Sequence, residues 1–353
     1  MKKKSILFIG PFPPVVHGQS VSTAHLARQL QKDGINLQII DINSGTGVSL
    51  VRQLKKIVRH LKAIFAILCS KKRVVYISVN ANVGIYLTAM LAFFARLQRS
   101  KILLHHHTRS HLSPDNKRMQ ILCWSAGATA IHIGICKSMC DSIVFSSSKA
   151  SNVQSYSNIG VVEEHLLTLD RRHHALHAPF ILGIFGNLTI EKGLLRAIEA
   201  FRLAQVRGLA KNLVIGGFVG GAKELHILSH AKNEMDNKLI IMGPLYGEEK
   251  LKFFKLIDVF LFPSLYRNET QGIVNLEALA AGIPVLAYSI CCTQDDLQGS
   301  ACKAVSSNCD FAEETCNFLH SLPSDGRFAA RQRFDYLLDK NRFEYSSLKN
   351  LMF

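Results

Sequence analysis

The stretch "VFLFPSLYRNETQGIVNLEALAAGIPV", residues 259 to 285, reads as a strand, a loop, a helix and the start of a second strand. Val259-Phe260-Leu261-Phe262 is a short apolar run closed by Pro263, as a buried parallel strand requires. Helical spacing begins near Ile273, and Gly282 with Pro284 stops it just before the apolar run from Val285. Strand, helix and strand in succession form the repeating unit of a parallel sheet. Glu269 falls at the carboxyl end of the first strand, and Glu277 a little more than one turn into the helix. The backbone N–H groups of Thr270, Gln271, Gly272 and Ile273 point into the same space and favour an anion there. Carboxylates accept side-by-side hydrogen bonds, which suits neighbouring hydroxyls. Together they fit a ligand that is both polyhydroxylated and phosphorylated. Taken singly, Glu277 also fits an ordinary charge in a first helical turn, and Glu269 a solvated loop residue.

The same alternation runs outward along the chain. In the first half, strands are expected at Ile6 to Ile9, Leu37 to Ile40, Val74 to Val79, Lys101 to His105 and Thr129 to Ile133, with helices near 20–32, 50–68, 84–97 and 116–124. In the second, strands are expected at Phe180 to Phe185, Asn212 to Ile215, Lys238 to Met242, Val259 to Phe262 and Val285 to Tyr288, with helices from Leu194 and Ile273. A Ser- and Asn-rich stretch from Ser146 to Asn158, followed by weak patterning to Pro179, marks the linker. The expected fold class is α/β, with two doubly wound Rossmann-like domains, 1–170 and 171–353, and a ligand cleft between them. The final helix is expected to pack back on the first domain.

The chain has 353 residues, 48% of them hydrophobic, enough for two cores. The run after the N-terminal lysines is too short for a secretory signal, and no stretch reaches the roughly 20 apolar residues of a spanning helix. Nine cysteines without disulfide or zinc-ribbon spacing suit a reducing cytoplasm. The net charge of +16 is unevenly distributed: residues 1–176 hold 23 bases and 7 acids, residues 177–353 hold 19 of each. No acid lies between Asp41 and Asp115, a gap containing twelve Lys or Arg. Such a field attracts a polyanion: nucleic acid, an anionic membrane or a phosphorylated substrate. Nucleic acid is disfavoured, because neither interleaved surface aromatics nor a groove-reading motif accompanies the charge.

Three more stretches have suitable chemistry. In "LGIFGNLTIEKGLLRAIEAF", residues 182–201, a strand ends at Gly186 and Lys192-Gly193 opens a helix, offering an ammonium and helix N–H groups to phosphate oxygens. A solvated lysine at a helix start also fits. In "FIGPFPPVVHGQSVSTAHLARQL", residues 8–30, Gly18 precedes a helix and lets backbone approach a ligand; a rigid structural loop fits equally. The glycine fingerprint of hydride-transfer enzymes is absent from it. In "KILLHHHTRSHL", residues 101–112, alternation puts His105 and His107 on one side and His106 on the other, at a strand's carboxyl end. No further ligand at convincing spacing makes them a metal site.

With these residues in place, the chain resembles the retaining GT-B glycosyltransferases of family 4, or glycosyl transferases group 1. "ETQGIVNLE" resembles that family's paired-glutamate motif, "GNLTIEKG" its diphosphate loop and "GPFPPVVHGQS" its first glycine-containing loop. The resemblance implies a nucleotide-diphosphate sugar held mainly by the second domain and an acceptor held by the first. It implies that Glu277 binds ribose hydroxyls, that Glu269 with the Thr270–Ile273 backbone holds the sugar, and that Lys192 and Gly18 meet the diphosphate. His107 would stand near the anomeric carbon, with His105 as the alternative; His17 and His105 fall on the acceptor side. Main chain around Leu245 would contact the base. Asn187 stands where many relatives carry arginine, with Arg196 or Arg267 as substitutes, and the loop "SICCTQDDLQG", Ser289 to Gly299, departs from the family pattern.

No Asp-x-Asp pair is present to hold a divalent ion, so metal-independent transfer without a cofactor is expected, with retention of configuration implied by the resemblance. The alternative of another class is a GT-B-shaped epimerase acting on nucleotide sugars. In residues 50–68, Leu50, Leu54, Ile57, Val58, Leu61, Ile64, Phe65 and Leu68 recur at helical spacing opposite Arg52, Lys55, Lys56, Arg59 and Lys62. The apolar stripe is expected to pack on the sheet and the basic face to dock on anionic lipid. The expected setting is the inner membrane face of a bacterium, with a lipid-linked or cell-surface polysaccharide acceptor.

Overall fold

The computed structural model describes residues 5–14, 18–43, 45, 50–69, 74–113, 115–169, 174–299 and 301–353, apart from the side chain of Arg52. His17 and that arginine side chain therefore lie outside the described residues. The chain forms two compact units, 1–161 with 341–353, and 162–340. The division falls somewhat before the expected boundary at 170, and the last residues belong to the N-terminal unit.

In the N-terminal unit the elements are β1 (Ser5–Gly10), α1 (Gly18–Lys32), β2 (Asn36–Asp41), α2 (Leu50–Cys69), β3 (Val74–Ser78), α3 (Ile85–Leu97), β4 (Lys101–His105), α4 (Lys117–Ala126), β5 (Ile131–Gly134), α5 (Lys137–Ser146) and β6 (Val153–Ser155). All strands pair in parallel, in the order β2-β1-β3-β4-β5-β6. β6 lies inside the stretch expected to be a linker: three residues, Val-Gln-Ser, are too few to give a periodicity, and β6 is recognisable only by pairing with β5. The core on one face joins Ile6, Phe8, Tyr76, Leu103 and Ile133 to Leu26 and Leu30 of α1. Phe8 and Tyr76 stack with centroids 4.0 Å apart.

The second unit contains α6 (Glu164–Leu167), β7 (Phe180–Asn187), α7 (Leu194–Val206), β8 (Ala210–Phe218), α8 (Ala222–Met235), β9 (Leu239–Gly243), α9 (Glu248–Leu256), β10 (Val259–Phe262), α10 (Ile273–Ala280), β11 (Val285–Tyr288), α11 (Cys292–Asp296), β12 (Cys302–Val305) and α12 (Phe311–Ser321). Its parallel order is β12-β11-β10-β7-β8-β9. β7 and β10 are neighbours from which the chain winds outward in opposite directions, the switch point at whose carboxyl ends a ligand crevice is expected in such sheets. The final helix α13 (Gly326–Met352) starts here and ends in the N-terminal unit. There Leu348 and Met352 join the core, Glu344 accepts from Ser155 Oγ at 2.6 Å and Ser157 N at 3.1 Å, and Lys349 pairs with Asp33 at 2.7 Å.

The orientation of α2 corrects the sequence expectation. Its covered face is His60, Ala63, Ile64 and Ile67, while Leu50, Val51, Leu54, Ile57, Val58, Leu61, Phe65 and Leu68 are exposed. Among the described residues, α2 packs mainly on α3 and on the edge strand β2, which cover one flank. Ile64 alone of the expected stripe is covered.

Candidate functional site

The loops after β7 and β10 are locked together in the second unit. Leu265 N donates to Glu191 O at 2.8 Å, and Arg196 Nη1 reaches the carbonyls of Ile190 and Pro263 at 3.4 and 3.3 Å. Arg196 thus braces the two loops through their backbones. Gly193 precedes α7 with φ 95°, and a Cβ there would stand 2.4 Å from Pro263 O, so only glycine permits this approach. Gly217 is equally constrained: at φ 120° its Cβ would collide with Gly186 O, where β7 and β8 end side by side.

This framework carries Lys192 and Glu269 to one place, with Lys192 Nζ 3.2 Å from Glu269 Oε2 and 5.2 Å from the Tyr266 ring centroid. A cavity of about 620 Å³ opens beside them, lined by Asn187, Thr189, Lys192, Glu224 and Tyr266 among others. Arg267 is exposed. Thr270, Gln271 and Gly272 are buried, and Gly272 caps α10, which begins at Ile273. The irregular Ser289–Gly299 loop supports this turn: Cys292 N donates to Thr270 O at 3.0 Å, and Gln271 Nε2 bonds both carboxylate oxygens of Asp296 at 3.1 and 3.0 Å. Burial pushes the Asp296 carboxyl up to about 7, against the Gln271 bond.

Glu277, also buried, has Lys250 Nζ 2.9 Å from Oε1, and the same ammonium lies 2.6 Å from Glu163 Oε1. Burial raises the Glu277 carboxyl and Lys250 opposes that rise; Lys250 is itself held above the usual lysine range because the two carboxylates outweigh its burial. The net direction is a charged triad, with two acids sharing one base. Leu245 is buried against Gly216. Lys250, Glu163 and Asp296 escaped sequence reasoning, since a lysine amid "YGEEKLKFF" and lone acids in irregular loops reveal their partners only in three dimensions.

In the N-terminal unit, Gly18 opens α1 at the switch point between β1 and β3, where Gln19 Nε2 donates to Ser78 Oγ at 2.9 Å and Val79 O at 3.1 Å. His105 and His107 pack with centroids 4.0 Å apart, and Tyr76 Oη lies 2.7 Å from His105 Nδ1. His106 points the other way into a buried chain, 2.9 Å from His111 Nε2 through Nδ1 and 3.0 Å from His132 Nδ1 through Nε2. Burial, with nearby imidazoles adding to it, holds His105 and His106 well below the usual histidine range.

These imidazoles give a signed pH prediction. Burial lowers His111 and His132 to about 4, His132 adding to the effect on His111; His25 falls to about 4 through burial, then Arg28 and Lys32. Below 6.5 the unfolded chain takes protons that the folded unit refuses, so this stability is present above pH 6.5 and lost as pH falls through about 4. An independently titrating imidazole would contribute ~3 kcal/mol. Asp296 has the opposite sign, its contribution being lost as pH rises from 3.8 through about 7. Hydrogen exchange between pH 7 and 4.5 should show protection falling in β4 and β5 while α11 holds or gains; uniform loss across both units would contradict this.

Residues 168–304 match the family model of glycosyl transferases group 1. Among curated proteins, the uncharacterized glycosyltransferase MJ1607 of Methanocaldococcus jannaschii is 37% identical over 105 residues, 30% of this chain and 26% of that protein. The amylovoran biosynthesis glycosyltransferase AmsK of Erwinia amylovora is 31% identical over 117 residues, 32% of this chain and 28% of that protein. The match thus spans about a quarter of each relative. Among solved structures, Anabaena HepE in complex with UDP-glucose superposes with a TM-score of 0.64 at 16% identity, over 98% of this chain and 99% of that one. At that identity the likeness is one of fold, and the fold is GT-B. Residues 168–304, all in the second unit, are the part that is similar to the group 1 glycosyltransferases.

Proposed function

We propose that the protein is a retaining, family 4 hexosyltransferase that moves a sugar from a nucleotide-diphosphate sugar to a lipid-linked or cell-surface polysaccharide acceptor. The observation that carries this reading is the pair of carboxylates in different company: Glu269 with Lys192 at the crevice, Glu277 with Lys250 behind it. Donor chemistry is supported by the complex of HepE with UDP-glucose, and a polysaccharide product by the amylovoran role in the name of AmsK.

The residues divide the reaction by charge. As the sugar–phosphate bond breaks, negative charge grows on the departing diphosphate; Lys192 and the N–H groups around Gly193 and Gly272 stabilise it. Glu269 and the Thr270–Ile273 backbone orient the sugar, and Glu277 receives the ribose hydroxyls through the carboxylate oxygen that Lys250 does not engage. Asn187 is assigned to the diphosphate and the main chain at Leu245 to the base. From the N-terminal unit, Gly18 is assigned to the diphosphate, His107 to the anomeric carbon, and His105, with His17, to the acceptor side.

Incubation with a panel of labelled nucleotide sugars, with and without a bacterial lipid fraction, tests the reading. Release of nucleotide with label in the lipid or polysaccharide is expected only when acceptor is present; conversion of the sugar without acceptor would instead identify an epimerase. EDTA-treated protein is expected to retain activity. Complete loss, restored by Mg²⁺ or Mn²⁺, would overturn the metal-independent mechanism. The proposed place of work is the inner membrane face, reached by peripheral attachment; among the described residues no helix is long and apolar enough to cross a membrane.

A further inference from the structure

Helix α2 presents an anomaly that sugar transfer does not explain. Eight large apolar side chains are exposed on its 20 residues, led by Leu50 at 74% and Phe65 at 69%. At ~100° per residue, Leu50, Leu54, Ile57, Leu61, Phe65 and Leu68 fall on an arc of about 80°, with Val51 and Val58 at its margin. Exposed apolar side chains are common singly; a continuous ridge of this length is characteristic of a surface that meets something apolar. The flank adjoining Ile57 is tied down: His60, Ala63, Ile64 and Ile67 are buried, and Asn80 Nδ2 lies 3.4 Å from His60 Nε2. The ridge is therefore the face left over after the helix has been fixed in place.

The charges beside it select the occupant. Lys55 and Lys62 are exposed and follow the ridge on the wheel, with Arg59 beyond them, 2.8 Å from Asp41. No acidic residue occurs in the helix or anywhere between Asp41 and Asp115. A soluble protein partner would need only a local match, whereas an apolar ridge bordered by cations and free of acids matches the acyl boundary and phosphate layer of an anionic bilayer along its whole length.

We infer that α2 lies in the plane of an anionic membrane, with the Leu50–Leu68 ridge inserted at the headgroup–acyl boundary and Lys55 and Lys62 on lipid phosphates. This deepens the peripheral attachment proposed above and rests on that reading only for which membrane is met. It changes the mode of attachment: insertion of apolar side chains dominates, and charge adds to it.

Co-sedimentation of the full chain with phosphatidylcholine vesicles, with and without phosphatidylglycerol, tests this in the absence of donor and acceptor. Failure of sugar transfer would leave the outcome untouched. Leu54→Ser, Leu61→Ser and Phe65→Ser together are expected to lower partitioning on the anionic vesicles by about a hundredfold. Lys55→Gln with Lys62→Gln should lower it about thirtyfold there and leave binding to neutral vesicles unchanged. Because Trp124 is the only tryptophan, a Trp124→Phe, Phe65→Trp protein carries a single reporter at the ridge, expected to shift to the blue on binding and to be quenched by brominated acyl chains. Unaltered partitioning of the triple variant, an unquenched reporter, no binding by the unsubstituted chain, or a dimer in solution that the triple variant converts to monomer would each overturn the inference.

Discussion

Replacing Lys250 with methionine is expected to destabilise the second unit by about 3 to 5 kcal/mol at neutral pH. The lysine side chain is 9% exposed and is paired with Glu277, itself 6% exposed, and with the more open Glu163. Without it the buried Glu277 must either remain charged in a dry setting or take up a proton, and protonation sets the ceiling of the effect. Because Glu163 is 40% exposed, water substitutes for its lost partner and little of the loss arises there. Combining Lys250→Met with Glu277→Gln should recover most of the stability, since the uncompensated charge is gone, while nucleotide binding stays weak. Denaturant unfolding of the four proteins of this cycle decides it. Equal loss in Lys250→Met and in the double variant would mean that Lys250 acts through packing, and the charged triad would have no part in the effect.

The second large effect separates the two glutamates. On the proposed assignment Glu277 holds ribose hydroxyls, which are unchanged by reaction, so losing it removes binding shared by ground and transition states. Glu277→Gln should raise the donor KM and weaken nucleotide diphosphate binding by about 1 to 3 kcal/mol. In the proposed reaction Glu269 faces the sugar, whose ring flattens and gains positive charge as the bond breaks, and in the structure it pairs with Lys192 at 3.2 Å. Glu269→Gln should therefore lower kcat more than it weakens nucleotide binding, and Lys192→Ala should lower kcat by about 10² to 10³. Calorimetric titration with the nucleotide diphosphate, beside steady-state kinetics, separates them. Identical patterns for both glutamates, or nucleotide binding lost in Glu269→Gln and intact in Glu277→Gln, would refute this division.

Much of the fold was legible because buried parallel strands are largely apolar: Ile6 to Ile9, Val74 to Ile77 and Val259 to Phe262 admit few other readings. β6 was not, since its stability comes from the neighbouring strand and leaves no trace in Val-Gln-Ser. The candidate site follows the same rule. Lys192, Glu269 and Glu277 lie in strand–loop–helix motifs whose local structure is readable from the sequence. Lys250, Glu163 and Asp296 matter through partners far along the chain, which spacing cannot reveal. Helix α2 shows a subtler limit. Its amphipathic period was plain, yet which face would be covered depended on neighbours, and an edge position left the apolar arc outside.

The route of α13 has a consequence for how the protein is made. The N-terminal unit closes its core with Leu348 and Met352 and ties its last strand to Glu344, so on a ribosome it waits for residues 341–353 while the unit encoded in between has already been synthesised. Synthesis therefore finishes the later-encoded unit first, and for most of its birth the basic half, with α2 displayed, is an unclosed sheet that must be kept from other chains. A fragment ending at residue 161 should be prone to aggregation, and residues 341–353 supplied as a separate peptide should restore its solubility.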